Sequence, residues 1–401
     1  MTSAQTQTVD LSIVIPCLNE AETIGRCVEK AVLGMQRAGV SGEIVVADNG
    51  SSDGSRQLAE RAGARVVPVA EKGYGNALRG GILAARGRWI IMGDADDTYD
   101  FSQIQVFVDK LREGCDVVMG CRMPRGGGTV MPGAMPWKNR YIGNPILSFI
   151  GKLLFRTPIN DFHCGLRAFS KDAFARMDLK TTGMEFASEM VMKASLESMR
   201  MAEAPVTLYP DPRNRTPHLR PWRDGWRHLR LMLIFSPRWL FLMPGLALCA
   251  AGLVVGALTY QPLRVGPMVF DVGTLTVACM WVIIGIQFIS FGCFTKVFAI
   301  AEGLLPEDPK FTGVFRYINL ERGIVLGAAI VAVGLAMLIH ALLAWEKTGY
   351  GVLDYGRNLR RLIPAAALMV IGVQTISASF FMSILGLKTR TRRPPGARDE
   401  K

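Results

Sequence analysis

Three carboxylates within four residues, Asp94, Asp96 and Asp97, close the run Trp89-Ile90-Ile91-Met92-Gly93-Asp94-Ala95-Asp96-Asp97. The apolar part of the run reads as a buried strand, so the acids sit at its end. Crowding negative charge there is costly unless a cation offsets it. Asp-x-Asp is the pattern expected for a divalent metal that bridges a diphosphate, and hard oxygen ligands suit Mg²⁺ or Mn²⁺. Such an ion is a Lewis acid that neutralises charge on a departing nucleoside diphosphate. Helix capping by Asp97 explains one of the acids and not three. Asp94 and Asp96 are therefore the expected metal ligands and catalytic carboxylates.

A second motif is Ile44-Val45-Val46-Ala47-Asp48-Asn49-Gly50-Ser51-Ser52-Asp53-Gly54-Ser55. A strand runs into a Gly/Ser turn that opens a helix. Asp48 can accept hydrogen bonds from a base or ribose, although Asn49-Gly50 and Asp53-Gly54 also serve plain turn chemistry. A third strand, Ser12-Ile13-Val14-Ile15-Pro16, ends at Pro16 and leads into Cys17-Leu18-Asn19-Glu20. Asn19 or Glu20 either contacts a nucleotide or caps the next helix. Lys72-Gly73-Tyr74-Gly75-Asn76 is a Gly-rich turn with a cation, but no GKS or GKT follows, so it is not a P-loop.

The elements that position these groups alternate. Strands are expected at Leu11–Pro16, Glu43–Asp48, Ala64–Val69, Trp89–Asp94 and Cys115–Gly120, with helices near 20–38, 54–62, 74–86 and 102–112. Apolar strands separated by helices imply a parallel sheet covered on both faces. Ligands of such sheets bind beyond the carboxyl ends of the strands, which puts Asn19, Asp48 and Asp94 to Asp97 along one rim. Residues 121–165 are irregular: Gly126-Gly127-Gly128 and Pro124, Pro132, Pro136 and Pro145 read as loop, with a helix around 138–155. An irregular segment of this length in an α/β domain reads as a functional loop or lid.

The second half differs in kind. Four apolar runs near 239–259, 272–295, 323–344 and 362–386 each approach the roughly 20 residues that span a bilayer. The formal charge of +12 is concentrated beside them. Seven Arg lie from Arg213 to Arg238, and six cations follow the last run. Basic clusters flanking spans point to anionic headgroups and argue against nucleic acid. Residues 221–235 form an amphipathic helix with Trp222, Trp226, Leu229 and Leu233 on one face and Arg223, Arg227 and Arg230 on the adjoining one, which suits a helix lying in the headgroup plane. Its alternative is an ordinary surface helix. An even number of spans and basic segments on one side place the N-terminal half in the cytoplasm. The loop Trp345–Arg361 runs against that rule with Lys347, Arg357, Arg360 and Arg361. The polar N-terminus gives no expectation of a cleaved signal peptide. Eight scattered cysteines read as free thiols in a reducing compartment.

The four motifs, in this order on successive strands, resemble those of the family 2 glycosyltransferases over roughly residues 10–235. The nearer resemblance is to the polyprenyl-phosphate branch, with dolichyl-phosphate mannose and glucose synthases and bacterial undecaprenyl-phosphate glucosyltransferases. It departs at Asn49, where the family pattern has Asp. The resemblance implies a GT-A fold, that is, a Rossmann-like α/β domain with a mostly parallel sheet, here followed by an all-α transmembrane bundle. It also implies a nucleoside-diphosphate sugar donor and inversion at the anomeric carbon. It makes Pro16, Asn19, Glu20, Asp48, Lys72, Asp94 and Arg213 the nucleotide-sugar site, and Arg122 and Arg140 the acceptor-phosphate site. Val117-Val118-Met119-Gly120-Cys121-Arg122 is similar to the family's strand ending in an Arg near the acceptor phosphate, and Lys138-Asn139-Arg140 to the start of its interfacial helix. Asp161-Phe162-His163-Cys164-Gly165-Leu166-Arg167-Ala168-Phe169 is similar to its acceptor-side turn, with Asp161 near the reaction centre as a third catalytic residue. Arg213 and Arg215 resemble an Arg that closes over the donor diphosphate. His163 is read as a structural hydrogen-bonder, and Glu185 and Glu189 line the site or form a solvated face.

The expected reaction is transfer of a hexose, from UDP-glucose before GDP-mannose, to a polyprenyl phosphate at the membrane. The acceptor oxygen is already anionic, so catalysis rests on positioning and on the leaving diphosphate. A processive synthase is the first alternative, but Arg238-Trp239 lacks the Gln of a Gln-x-x-Arg-Trp motif. Glycolipid flipping by the spans is the second, with Gln287, Lys296, His340 and Gln374 as sparse polar groups. The expected domains are 1–220 catalytic, 221–236 interfacial, 237–387 membrane-spanning and 388–401 a basic tail. A homo-oligomer is compatible with all of this.

Overall fold

The computed structural model describes residues 9–213, 221–306, 320–352 and 354–386. Arg215 and the basic tail lie outside them. The chain forms two compact units, 1–232 and 233–401.

In the first unit the apolar strands become the centre of a seven-stranded sheet. Its strands are β1 (Leu11–Cys17), β2 (Gly42–Asp48), β3 (Arg65–Pro68), β4 (Trp89–Met92), β5 (Val117–Cys121), β7 (Arg167–Ser170) and β8 (Met201–Pro205), in the order β3-β2-β1-β4-β7-β5-β8. A small parallel pair, β6 (Thr129–Val130) and β9 (Thr207–Leu208), lies apart from it. Strands β1, β2, β3 and β4 are parallel, with Ile13 opposite Ile44 and Ile91. The side chains of β1 and β4, and of β2 from Ile44 onward, are almost wholly buried. Helices α1 (Ile24–Arg37), α2 (Ser55–Arg61), α3 (Tyr74–Ala84) and α4 (Gln105–Arg112) connect the strands and cover them, with α3 packed on β1 and β2. Helices α5 (Asn144–Phe155), α6 (Lys171–Met177) and α7 (Phe186–Leu196) complete the unit's helical cover, and α8 spans Pro221–Ile234.

The sheet is mostly parallel, and its exception is β7. This strand inserts between β4 and β5 and runs antiparallel to both. It belongs to the segment read as the acceptor-side turn, so the sheet itself carries that turn next to the end of β4. Strand β4 also stops at Met92, which leaves Asp94 and Asp96 in the turn beyond it. The expected helix at 102–112 is a 3₁₀ turn, Phe101–Gln103, followed by α4. The cap there is Asp100, whose carboxylate accepts from the Ser102 amide, and not Asp97. The helix expected at 138–155 opens with a π turn, Asn139–Gly143, before α5.

Among the described residues of the second unit, four helices are long and apolar enough to cross a membrane: Arg238–Thr259, whose main part is α9 (Met243–Thr259), α10 (Val272–Ala301), α11 (Leu320–Glu346) and α12 (Tyr355–Gly386). Their seams are glycine-rich. A Cβ on Gly285 would lie 2.7 Å from the Gly245 carbonyl, and one on Gly372 would lie 2.7 Å from the Gly327 carbonyl. Without a hydrophobic drive between helices in lipid, such close backbone approach supplies the packing. The anomalous cations of 345–361 are partly resolved here. Arg357, Arg360 and Arg361 stand in the first turns of α12, and Arg360 pairs with Asp271, the residue that precedes α10.

Candidate active site

The site builds up from the ends of β1, β2 and β4. At the end of β2 the Asp48 carboxylate accepts from the Gly50 and Ser51 amides at 3.0 and 3.1 Å and from Arg56 Nε at 2.6 Å. Burial alone would push the Asp48 carboxyl up. The hydrogen bonds from Ser51 and Arg56 more than reverse this and hold it below its ordinary value. Asp48 thus fastens the turn and the start of α2, and its sequence-expected contact with a base or ribose has to share a carboxylate already engaged by Arg56.

Asn49, the departure from the family pattern, has a local cause. Its Nδ2 donates to the Val69 and Glu71 carbonyls at 3.0 and 2.7 Å, and its Oδ1 accepts from the Gly73 amide at 2.8 Å. An aspartate cannot donate to those two carbonyls. Lys72 reaches back to the Asn49 carbonyl at 2.6 Å, so the Gly-rich turn is stitched to the end of β2 from both sides. At the end of β1, in-register with Ala47 at Pro16, Asn19 takes a left-handed conformation. Its Oδ1 accepts from the Ser52 amide at 2.9 Å.

Tyr74 follows the Lys72-Gly73 turn and donates to Asp94 Oδ1 at 2.8 Å. Gly75 fixes its place, because its amide donates to the Thr182 carbonyl at 2.9 Å and a Cβ there would meet the Thr181 carbonyl at 2.8 Å. Behind that loop is Glu189, fully buried, which accepts from the Lys180 and Thr181 amides and pairs with Lys193. Glu189 is therefore neither a site-lining acid nor a solvated one. It anchors the loop on which α3 begins.

Burial, and then the neighbouring Asp96 charge, push the Asp94 carboxyl up to about 6, against the pull of Tyr74, Arg167 and Arg122. Asp96 accepts from the Thr98 amide and hydroxyl at 3.1 and 2.7 Å. Asp97 pairs with Lys30 at 2.7 Å. Arg213 bridges to Asp96 at 3.3 Å, to both oxygens of Glu20 at 2.7 and 2.8 Å, and to Asp211 at 2.6 Å. The structure thus joins Glu20, Asp96 and Arg213, which are far apart in the chain.

The acceptor-side turn packs directly on the carboxylates. A Cβ on Gly165 would lie 2.5 Å from Asp94 Oδ2, and the Gly165 amide donates to Tyr99 Oη at 3.0 Å. Arg122 and Asp161 are brought together as a buried bidentate pair, with Nε to Oδ2 at 2.7 Å and Nη2 to Oδ1 at 2.8 Å. Burial would raise the Asp161 carboxyl, but the Arg122 charge and its hydrogen bonds hold it below the ordinary range. The two residues expected as separate acceptor groups are first of all each other's counter-ions, so a phosphate contact from Arg122 rests on its remaining Nη1. Arg140 is not part of this cluster. Its guanidinium lies 5.5 Å from the Tyr141 ring in the π turn, and it makes no ion pair among the described residues.

Three participants escape the sequence reading. Tyr74 stands within one motif and Arg56 directly after another, but neither has a partner until the fold supplies it. The third, Arg167, is wholly buried, and its guanidinium donates to the carbonyls of Cys164, Phe162 and Ala187. It holds the turn's backbone from beneath and lends positive charge to Asp94. The His163 ring meets that of His228 on α8 at a tilt of 50°, with centroids 4.9 Å apart, and Ser188 and His228 Nδ1 share a hydrogen bond at 2.8 Å. Burial and the His228 charge hold His163 well below its usual range.

A sheet with this topology, closing carboxylates, arginines and a tethered glycine turn around one rim, is the GT-A arrangement. Residues 12–177 match the family model for glycosyl transferase family 2, and residues 293–386 match the one for the glycosyltransferase family 2 C-terminal transmembrane region. The chain is 35% identical over 378 residues to the low-salt glycan biosynthesis hexosyltransferase Agl6 of Haloferax volcanii, covering 94% of this chain and 89% of that protein. The dolichyl-phosphate hexose transferase of the same organism is 28% identical over 198 residues, 49% of this chain and 82% of that one. Among solved structures, a mycobacterial protein superposes with a TM-score of 0.46 at 20% identity, over 56% of this chain and 74% of that chain. The chain belongs to the family 2 glycosyltransferases and is a membrane protein.

Proposed function

We propose that the chain transfers a hexose, with inversion, from a nucleoside-diphosphate sugar to a polyprenyl phosphate at the cytoplasmic face of a membrane. UDP-glucose is the first donor to test and GDP-mannose the second. The observation that carries the reading is the meeting of Asp94, Asp96 and Arg213 with the Arg122–Asp161 turn, in a chain that also has four membrane-spanning helices. The similarity to a dolichyl-phosphate hexose transferase supports the acceptor class.

The donor set fits a hard divalent ion. Asp94 and Asp96 offer carboxylate oxygens, and a guanidinium already lies on Asp96 where positive charge is favoured. Bound there, Mg²⁺ or Mn²⁺ would supply Lewis-acid neutralisation of the leaving diphosphate. Asn19, Glu20, Asp48 and Lys72 frame the nucleotide end of the same rim. Arg213 is placed to turn its fork onto the diphosphate. Asp161 orients Arg122, and Arg122 with Arg140 draws the acceptor phosphate toward the anomeric carbon. No strong base is required, since the phosphate oxygen is already ionised.

The interfacial assignment rests on α5 and α8. Tyr141 and Phe149 are 67% and 65% exposed, and Trp137, Ile142, Ile146 and Leu153 are exposed with them. An apolar face of this kind on a short helix suits the headgroup boundary. On α8, Trp226 is exposed while His228 and Met232 are buried. The side chain of Trp222 lies outside the described residues.

The test is purified protein in bilayers, assayed with undecaprenyl and dolichyl phosphate against a panel of labelled nucleotide sugars. Asp96→Asn should lower turnover by at least about a hundredfold, the order of losing a positioned charge-stabilising group. EDTA should abolish activity. Full activity in either condition would remove the metal from the mechanism.

A further inference from the structure

Arg213 holds a position that the donor side of the reaction needs to be free. Its guanidinium spans Glu20, Asp96 and Asp211, and its side chain is only 8% exposed. One of these carboxylates, Asp96, is an expected metal ligand. Glu20 grips the same guanidinium with both oxygens, at 2.7 and 2.8 Å, from the end of β1. The cation on Asp96 is thus built into the chain and held by an acid that is not itself a proposed metal ligand.

Two further observations bear on this. Among the described residues no group of three or more His, Cys, Asp or Glu side chains is gathered that could hold a metal ion. A divalent ion at Asp94 and Asp96 therefore takes most of its shell from outside the protein, and the diphosphate of the donor is the natural source. Second, Tyr74 donates to one oxygen of Asp94, which leaves that carboxylate partly committed as well. A bare ion arriving without nucleotide meets one carboxylate paired with a guanidinium and the other with a phenol.

We infer that Arg213 is an internal counter-ion that keeps metal from binding alone, so that metal and nucleoside diphosphate bind as a unit. The inference rests on the proposed metal-dependent reading and adds the order of binding to it. Diphosphate oxygens give Nη2 a more strongly charged partner than Asp96 at 3.3 Å, while Glu20 keeps hold of Nη1 and Asp211 of the Nε edge. Arg213 then leaves Asp96 as the nucleotide arrives, and Asp96 becomes available to the ion. The exchange swaps ion pairs and requires no covalent step. By linkage, nucleotide raises metal affinity and metal raises nucleotide affinity by the same factor.

The experiment measures Mn²⁺ binding to the full-length protein in nanodiscs, by the electron paramagnetic resonance signal of free Mn²⁺, with and without UDP. Wild type should bind Mn²⁺ weakly alone and much more tightly with UDP. Arg213→Ala should bind Mn²⁺ alone about tenfold more tightly, the order of one charge-assisted bond at a partly screened site. The same variant should bind Mn²⁺ less tightly than wild type when UDP is present, because the diphosphate has lost its arginine. A damaged fold would lower both affinities, so the opposite signs separate competition from misfolding. Arg213→Lys provides the second variant; a single ammonium cannot span Glu20 and Asp96, and its affinity for Mn²⁺ alone should also rise. If both variants bind Mn²⁺ alone no more tightly than wild type, the counter-ion role is overturned while metal-dependent transfer stands. If wild type binds no Mn²⁺ even with UDP, the metal reading falls and this inference falls with it.

Discussion

Arg122 and Asp161 are removed from water together, and this decides what a substitution there reports. Arg122→Ala alone leaves a buried carboxylate without its partner, which costs about 3–5 kcal/mol of stability. Loss of acceptor use in that variant would mix unfolding with lost phosphate contact. The double variant Arg122→Ala/Asp161→Asn removes the stranded charge. Its melting temperature should recover toward wild type, while its acceptor KM stays raised if Arg122 touches the phosphate. A double variant with a wild-type acceptor KM would assign the pair to structure alone. The pair also sets a pH dependence. Asp161 has a depressed folded value, so the stability it contributes is fully present above the unfolded value of 3.8 and is lost as pH falls below that toward the folded value. Asp161→Asn should flatten the acid limb of the unfolding profile, which denaturation at a series of pH values from about 6 to about 2.5 would measure. At this level the sequence named residues that the fold brings together and was poor on whom they touch. Asp94 and Asp96 stood out because acids crowded at the end of a buried strand are costly without a cation, and Asp161 and Arg213 only through their resemblance to family motifs. Arg56, Tyr74 and Arg167 did not, because spacing along the chain carries no signature of the partner that the fold supplies.

Strand β7 is the element whose placement matters most to the site and was least legible. Four residues of mixed character, Arg167–Ser170, carry no period that separates them from a loop. Only the gap between β4 and β5 makes them a strand, and that gap is a property of the whole sheet. The parallel strands were legible because their continuous apolar runs have one physical explanation, burial on both faces. Helix α5 was legible as a helix, and its exposed apolar face turns it into a testable element. Phe149→Ser should lower activity on a long-chain polyprenyl phosphate in bilayers several-fold, as expected from losing one aromatic side chain at the headgroup boundary. Activity on a short, water-soluble prenyl phosphate should change little. Kinetics on both acceptors would check this, and equal losses would make α5 a packing element. In the membrane unit a register is visible between α10 and α12. Asp271 meets Arg360 at one end, and Phe294 meets Phe381 at 4.8 Å near the other, so the two helices run parallel. Gln287 and Gln374 each precede those phenylalanines by seven residues and stand at one level. Gln374 Oε1 is buried without a hydrogen-bond partner among the described residues. An unsatisfied amide in an apolar setting costs about 1–3 kcal/mol, so Gln374→Leu should not lower, and by this reasoning should raise, the melting temperature in detergent. A large loss of stability would indicate that the amide is engaged by a neighbour or by lipid.

The proposed reaction needs the catalytic unit on the side of the membrane where nucleotide sugars are made, and the charge pattern of the whole molecule bears on which side that is. Lys and Arg are retained on the cytoplasmic side in short flanking segments. The arginines from Arg213 to Arg230 precede the first span, Arg238 opens it, and an even number of spans returns the chain to that same side. Opposed to this was the cation-rich segment 345–361. Its weight falls once Arg357, Arg360 and Arg361 are counted within α12, with Arg360 neutralised by Asp271, which leaves Lys347 as the one Lys or Arg between Glu346 and Tyr355. The cysteines make the question directly measurable. All eight are free thiols, five of them buried in the first unit and three partly buried in the spanning helices, so none is well placed to react with an aqueous reagent. A single introduced cysteine will therefore read out above a low background. Val352 is fully exposed between α11 and α12, and Leu83 is exposed on α3 of the catalytic unit. Val352→Cys should react with a membrane-impermeant maleimide in intact cells. Leu83→Cys should react only after the cells are permeabilised, because the reagent has to cross the bilayer to reach it. Labelling of Leu83→Cys in intact cells, with protection of Val352→Cys, would invert the orientation and place donor binding on the outer face.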